Sequence, residues 1–144
     1  MQLTDTIKNC NGCEACTVVC KYRCIQMMED QNGKKVPFIQ EGGCSKCNAC
    51  KLYCPLFNPV ELPKFNDYYE PEKAFEERKM AQVYRETMRN VRAGQRTEFV
   101  GTLCQIAGLK SLLGDKLPSN LVIYPIYCDE NTNRTGGCEA CSFR

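Results

Sequence analysis

The chain has 144 residues, with 19 Lys plus Arg against 17 Asp plus Glu and a formal net charge of +2, a near-neutral balance that gives no support for nucleic-acid binding. It contains no histidine, which excludes histidine-dependent catalytic triads and zinc sites with histidine ligands. Its 13 cysteines are about nine per cent of the residues, a density that signals a special structural framework.

The first residues lack the charged and then apolar pattern of a secretory signal, and no apolar run approaches membrane-spanning length. We therefore expect a cytoplasmic, reducing and anaerobic setting without membrane insertion. In such a setting dense cysteine indicates bound metal rather than disulfides.

Two runs of cysteine share the spacing C-x2-C-x2-C-x3-C. The first run is Cys10, Cys13, Cys16 and Cys20, and the second is Cys44, Cys47, Cys50 and Cys54, which Pro55 follows. Bacterial ferredoxins hold [4Fe–4S] clusters with this spacing, and the fourth cysteine of each run ligates the cluster of the other. The sequence therefore predicts a first cluster on Cys10, Cys13, Cys16 and Cys54. A second is predicted on Cys20, Cys44, Cys47 and Cys50.

Disulfides and zinc are the competing interpretations of these runs. Cysteines so close in sequence rarely meet the geometry of a structural disulfide. Zinc modules normally use two separated C-x2-C pairs rather than triplets with a trailing fourth cysteine. Both interpretations are weaker than the iron–sulfur one.

Apolar residues between the runs predict a short β-hairpin from Ile25 to Ile39, with its turn at Asn32-Gly33. The prolines that follow the second run predict an irregular surface linker. A helix is predicted from about Glu72 to Ala93, ending at Gly94. Its apolar stripe comprises Met80, Tyr84, Met88 and Val91.

Residues 97–128 predict a strand–helix–strand unit. The first strand is Glu98-Phe99-Val100, Thr102 is the candidate N-cap of the helix, and the second strand runs from Leu121 to Tyr127. That strand is apolar, rich in aromatic residues and long enough to be buried on both faces. A crossover of this kind makes the strands parallel when they share a sheet.

The crossover places Cys104 and Cys128 at the carboxyl edge of this sheet, where α/β folds bind ligands. Together with the C-x2-C pair Cys138 and Cys141, they predict a third site with four thiolates. We favour a third [4Fe–4S] cluster there. Zinc on the same thiolates is the alternative, and Cys104 could also be a buried small hydrophobe. Only Cys24 is left over, and it is interpreted as a packing residue beside the first cluster.

These motifs together resemble the coenzyme F420 hydrogenase/dehydrogenase β-subunit family, in forms with an N-terminal two-cluster ferredoxin domain. Residues 101–110, GTLCQIAGLK, are similar to the family motif G-T-P-C-Q-x-A-G-L-K, with Leu103 in place of proline. The resemblance covers about residues 8–56 and 88–144. It implies that the third four-cysteine set holds a [4Fe–4S] cluster close to FAD. It also implies flavin-side contacts from Gly101, Thr102 and Gln105.

The family's Ser/Gly-rich stretch, which helps to bind FAD and substrate, has no counterpart between Pro55 and Arg96. Two explanations stay open. The chain is a shortened relative without flavin, or it represents a longer protein incompletely, with breaks expected near residues 70–79 and 129–134.

The predicted fold is α+β. Residues 1–58 form a two-cluster ferredoxin-like domain, residues 59–71 a Pro-rich linker, and residues 72–144 a helix with a small parallel β-α-β fragment that carries the third site. The predicted function is single-electron relay through [4Fe–4S] clusters, by a carrier or by an electron-input subunit with a redox partner. The alternative is an FAD-dependent oxidoreductase acting on coenzyme F420. A structural zinc–thiolate module is the third hypothesis.

Overall fold

The computed structural model describes residues 13–29, 35–40, 42, 44–55, 58, 60–69, 79–114 and 117–127. Within them the protein mixes helices with two small sheets, one of which is parallel. Its elements in chain order are α1 Ala15–Val19, β1 Ile25–Glu29, β2 Lys35–Ile39, α2 Ala49–Leu52, α3 Met80–Arg92, β3 Thr97–Gly101, α4 Leu103–Leu113 and β4 Leu121–Pro125. No helix in the described part of the chain is both long and apolar enough to cross a membrane.

The predicted hairpin is confirmed. Strands β1 and β2 pair antiparallel in a register that sets Ile25 opposite Ile39. The turn expected at residues 32–33 lies outside the described residues. Ile25 and Ile39 both pack against the buried Cys16, so this end of the hairpin covers the first cysteine loop.

The apolar stripe predicted for the central helix is buried in α3. Its four members are Met80, Tyr84, Met88 and Val91, none more than 9% exposed. The helix ends at Arg92, and Gly94 follows with a φ of 80°, a left-handed conformation that glycine adopts without steric cost. The start predicted near Glu72 falls in residues 70–78, outside the described part of the chain.

The predicted crossover is also confirmed. Along the chain α4 connects β3 to β4, and the two strands pair with each other in parallel. Thr102 is the N-cap residue of α4, as expected. The prediction that the strand from Leu121 to Tyr127 is buried on both faces is wrong. The strand ends at Pro125, its first four residues are half-buried, and Tyr127 is 51% exposed. In the described residues this sheet has two strands, and so narrow a sheet leaves its side chains accessible to water.

The main core lies where α1, α3, β3 and α4 meet. The rings of Tyr84 and Phe99 stack there with centroids 6.0 Å apart, and Ile106 and Leu109 of α4 are fully buried beside them. Ala15 of α1 belongs to the same core and is also fully buried. The cysteine-rich first segment therefore shares its core with the later α/β segment.

Residues 60–69 follow an irregular course, as the prolines predict. Leu62 and Phe65 pack against the main core. Tyr69 forms a parallel bridge with Ile126, on the edge of β4 opposite β3. The segment therefore packs along the later α/β segment. Of the positions where chain breaks were predicted, residues 70–78 and 129–134 lie outside the described residues.

Candidate metal centre

Cysteines from both runs meet beside α1. Cys13 and Cys16 are buried, and the half-buried Cys54 reaches them from the second run. Cys54 packs against Cys16 and interacts electrostatically with Cys13. These are three of the four residues predicted for the first cluster. The fourth, Cys10, lies outside the described residues.

Burial raises the pKa of Cys13 well above its ordinary value, and a hydrogen bond from the N–H of Ala15 to its sulfur partly offsets this effect. The neighbouring cysteines raise the pKa of Cys13 further. The site therefore favours the neutral thiol in the absence of a cation. A coordinated metal reverses that preference, because it deprotonates the thiol it binds.

The two cysteine loops repeat one backbone geometry. Glu14 and Asn48, each directly after the second cysteine of its run, are left-handed with φ of 67° and 62°. In both loops the next residue is an alanine that starts a short helix and donates its N–H to the sulfur of that second cysteine. The bonded pairs are Ala15 with Cys13 and Ala49 with Cys47. Alternating left- and right-handed residues aim successive N–H groups into one concavity, a geometry that stabilises anions and recurs at Fe–S sites.

The four cysteines predicted for the second cluster line one cavity of about 350 Å³. They are Cys20, Cys44, Cys47 and Cys50. Cys20 belongs to the first run, yet it interacts electrostatically with Cys47 and Cys50 of the second. The N–H of Lys46 lies 3.3 Å from the sulfur of Cys44. Apolar side chains of the hairpin, Ile25 and Ile39, line the same cavity.

The thiols in this cavity are not equivalent. The N–H of Ala49, with a further hydrogen bond from Ser45, lowers the pKa of the exposed Cys47. Burial raises the pKa of the half-buried Cys50. Cys47 therefore offers a thiolate more readily than Cys50 does.

Cys24 is a fifth cysteine on this cavity and is only 4% exposed. Its sulfur lies 3.3 Å from the sulfur of Cys20. Burial, followed by the contact with Cys20, raises the pKa of Cys24 to about 12. Burial acts to raise the pKa of Cys20 as well, but hydrogen bonds from the N–H and thiol of Cys24 lower it overall. The sequence interpretation put Cys24 beside the first cluster site, and the structure places it at the second. The four-residue step from Cys20 is the signal that could have indicated this.

Cys104 lies in the first turn of α4 and is 8% exposed. Its sulfur is 3.1 Å from Oγ1 of Thr102, and it interacts electrostatically with Cys13. Cys104 therefore adjoins the first cysteine group. The other residues predicted for the third site lie outside the described residues, and they are Cys128, Cys138 and Cys141.

The three residues for which the resemblance implies flavin contacts lie inside the protein. Gly101, Thr102 and Gln105 are all buried. Oε1 of Gln105 accepts a hydrogen bond from the N–H of Thr102 at 3.0 Å. A Cβ atom on Gly101 would approach Oε1 of Gln105 and Cε1 of Phe99 to 2.9 Å. The side chain of Gln105 therefore helps to cap α4.

Sequence reasoning assigned Tyr84 to a packing face and missed its polar role. Its buried hydroxyl is 2.6 Å from the carbonyl oxygen of Cys13 and 3.3 Å from that of Gln105. Tyr84 thus connects the first cysteine loop to the turn that carries Cys104. Helical spacing predicts that such a residue is buried, but it does not predict where the hydroxyl points.

No family model, curated protein or solved structure matches the chain.

Among the residues that the structure describes, no group of three or more Cys, Asp or Glu side chains is arranged to hold a metal ion. A four-iron cluster separates its thiolates more widely than a single ion does, because each thiolate binds a different iron.

Proposed function

We propose that the protein is an iron–sulfur electron-transfer protein, or the electron-input subunit of an oxidoreductase, that relays single electrons through [4Fe–4S] clusters. One observation carries the proposal. Cys54 of the second run lies with Cys13 and Cys16 of the first, and Cys20 of the first run lies with Cys44, Cys47 and Cys50 of the second. Cys54 contacts Cys16 and interacts with Cys13, whereas Cys20 lines the cavity of the second run. Two-cluster bacterial ferredoxins exchange their fourth ligands in this way.

The donor set suits such clusters. Every proposed ligand is a thiolate, and both loops direct N–H groups at sulfur. Hydrogen bonds to sulfur and burial are the means by which a protein tunes cluster potentials. A bound [4Fe–4S] cluster supplies a centre that accepts and releases one electron. In this proposal the first site is held by Cys10, Cys13, Cys16 and Cys54, and the second by Cys20, Cys44, Cys47 and Cys50.

A third [4Fe–4S] cluster on Cys104, Cys128, Cys138 and Cys141 extends the proposal. The interaction of Cys104 with Cys13 supports a relay in which the third site adjoins the first. Zinc on these four thiolates is the alternative for this site. Three clusters would change the formal charge from +2 to about −4, since each cluster with its four thiolates carries about −2. The relay requires a redox partner protein or a larger oxidoreductase complex.

The test is the metal content of the full chain purified without oxygen. We expect a brown protein with about eight iron and eight sulfide per chain, or about twelve of each with the third cluster. Reduction with dithionite should produce a paramagnetic signal. Colourless protein without iron, or zinc without acid-labile sulfide, would contradict the proposal.

Matched variants sharpen this test. Cys54→Ala should remove the first cluster and Cys44→Ala the second, each lowering the iron content by about four per chain. Cys24→Ala is the control, since Cys24 lines the cavity but is not a proposed ligand. Equal iron loss in all three variants would argue against the assigned ligands.

The second candidate is an FAD-dependent oxidoreductase that oxidises or reduces coenzyme F420. The segment that resembles the family motif runs from the last residue of β3 into α4. It therefore begins at the carboxyl end of a parallel strand, where α/β folds bind ligands. We rank this candidate second because the side chain of Gln105 is buried in the helix cap. Flavin released on denaturation, together with F420-dependent reduction of the protein, would favour it over the carrier.

A further inference from the structure

The cavity of the second run holds one more cysteine than a cluster requires. Five cysteines line it, and a [4Fe–4S] cluster takes four. The additional thiol belongs to Cys24, whose sulfur lies 3.3 Å from that of Cys20.

The backbone holds these two cysteines at the ends of a tight turn. The N–H of Arg23 donates to the carbonyl oxygen of Cys20 at 3.3 Å, and Arg23 is left-handed with a φ of 51°. The carbonyl oxygen of Cys24 accepts a bond of 2.7 Å from the N–H of Gln40, just beyond β2. Cys24 is therefore fixed against the hairpin while Cys20 faces it across the turn.

The two sulfur atoms are 3.3 Å apart, which is farther than a bonded pair but within reach of a small movement. A disulfide has an S–S length of about 2.0 Å, so closure requires an approach of about 1.3 Å. Both cysteines line the cavity, but Cys20 is half-buried whereas Cys24 is buried. A small oxidant from the solvent therefore reaches the sulfur of Cys20 first.

We propose that Cys20 and Cys24 are a redox modification site that closes to an intramolecular disulfide on reaction with a hydroperoxide. Closure removes Cys20 from the thiols available to the second cluster site. That consequence rests on the proposed function, whereas formation of the disulfide does not.

The reaction balances with the peroxide as the oxidant. The sulfur of Cys20 attacks one peroxide oxygen, the O–O bond breaks, and Cys20 becomes a sulfenic acid as the first water leaves. The sulfur of Cys24 then attacks the sulfur of Cys20, the S–O bond breaks, and the S–S bond forms. The hydroxyl leaves with the proton of Cys24 as a second water. Two thiols are oxidised by two electrons and one hydrogen peroxide is reduced to two waters.

The test uses the full chain purified without oxygen, with its iron and sulfide measured beforehand. Hydrogen peroxide is added stepwise, remaining thiols are alkylated with iodoacetamide, and tryptic peptides are mapped by mass spectrometry. Lys21 and Arg23 separate the two cysteines, so the disulfide appears as a cross-link between peptides 9–21 and 24–34. Fragmentation then assigns the cysteine in the first peptide. We expect a bond from Cys20 to Cys24 to form first and a dithiol reductant to reverse it.

Variants provide the controls. Cys24→Ser should abolish the cross-link, and Cys104→Ser should retain it because Cys104 lies at the other cysteine group. Cys44 is the competing partner, since it also interacts with Cys24. A dominant bond from Cys24 to Cys44 would overturn the proposal. So would a Cys24 that stays open to alkylation after the other cysteines have oxidised.

Different measurements test the disulfide and the clusters, so either one can be contradicted without the other. If the protein contains no iron, the proposed function fails, but the cross-link is still expected. If iron is present and no bond from Cys20 to Cys24 forms, the inference fails while the proposed function stands. If both hold, formation of the disulfide should accompany the loss of about four iron per chain.

Discussion

The hydroxyl of Tyr84 donates a hydrogen bond of 2.6 Å to the carbonyl oxygen of Cys13, across 71 positions of sequence. The same hydroxyl is 3.3 Å from the carbonyl oxygen of Gln105. One buried side chain of α3 thus ties the first cysteine loop to the first turn of α4. The ring of Tyr84 belongs to the core that the two cysteine-bearing segments share, and its hydroxyl adds hydrogen bonds between them. These bonds help to fix how the two segments lie relative to each other.

Removing this hydroxyl should destabilise the protein without changing its core volume. We expect Tyr84→Phe to lower the free energy of unfolding by about 1–2 kcal/mol, because a buried hydrogen bond is lost while the ring stays packed. Denaturant unfolding measures the effect. Tyr124→Phe is the control, since Tyr124 is half-buried on β4 and should change stability by less than about 0.5 kcal/mol. Equal effects of the two variants would contradict a special role for Tyr84.

The same hydroxyl leaves no room for a side chain at position 108, so we predict that this position of α4 requires glycine. A Cβ atom at position 108 would lie 2.8 Å from Oη of Tyr84 and 3.5 Å from Cβ of Ala15. Alanine gains about 1 kcal/mol in helix propensity over glycine, but the forced displacement should outweigh it and leave a net loss of roughly 1–2 kcal/mol.

A double-mutant cycle checks this cause. In the Tyr84→Phe background the clash is relieved, so Gly108→Ala should cost clearly less than in the parent chain. Unfolding free energies of the four proteins give the coupling. Additive costs would show that the hydroxyl is not what excludes a side chain at position 108.

Gln105→Ala should weaken the start of α4. The substitution removes the acceptor of the Thr102 N–H in a buried site, and we expect a loss of about 1–2 kcal/mol in unfolding free energy. Gln82→Ala serves as the comparison, because the amide of Gln82 makes only an exposed bond of 3.3 Å to Glu86 on α3. That variant should be nearly neutral. A neutral Gln105→Ala would be evidence against the cap.

The rate at which each cysteine is alkylated should be higher for exposed thiols of lowered pKa than for buried thiols of raised pKa. After iron has been removed with a chelator, iodoacetamide at neutral pH should label Cys47 well before Cys13. Cys47 is exposed and its pKa is lowered by the N–H of Ala49, so it holds more thiolate at neutral pH. Cys13 is buried and its pKa is raised, so its labelling should need higher pH or local opening. Peptide mapping over time and pH gives both rates.

The reverse order of labelling, or equal rates at every pH, would contradict the described burial of the two cysteines. In the iron-loaded protein the proposed ligation should slow the labelling of Cys47, since a metal-bound thiolate is a poor nucleophile. Cys47 that reacts equally fast before and after iron removal would argue against its assignment as a ligand.

Local patterns were sufficient to predict most of the regular structure. Alternation from Ile25 to Ile39 predicted the hairpin, and helical spacing from Met80 to Val91 predicted the buried face of α3. The strand–helix–strand order predicted the parallel pairing of β3 and β4. Each of these features depends on residues near one another in sequence, so composition and periodicity carry the information. The spacing of the two cysteine runs predicts that Cys54 shares a cluster with Cys13 and Cys16; the contact of Cys54 with Cys16 agrees with this assignment, and the cluster itself stays a prediction.

Only the tertiary structure decided which distant groups meet. Packing of α1 against α3 and α4 brings Cys104 beside Cys13 and aims the hydroxyl of Tyr84 at a carbonyl oxygen 71 positions away. The half-burial of β4 depends on how many strands stand beside it. The direction of a side chain and the choice of a distant neighbour are properties of the packed core, and no local pattern in a sequence encodes them.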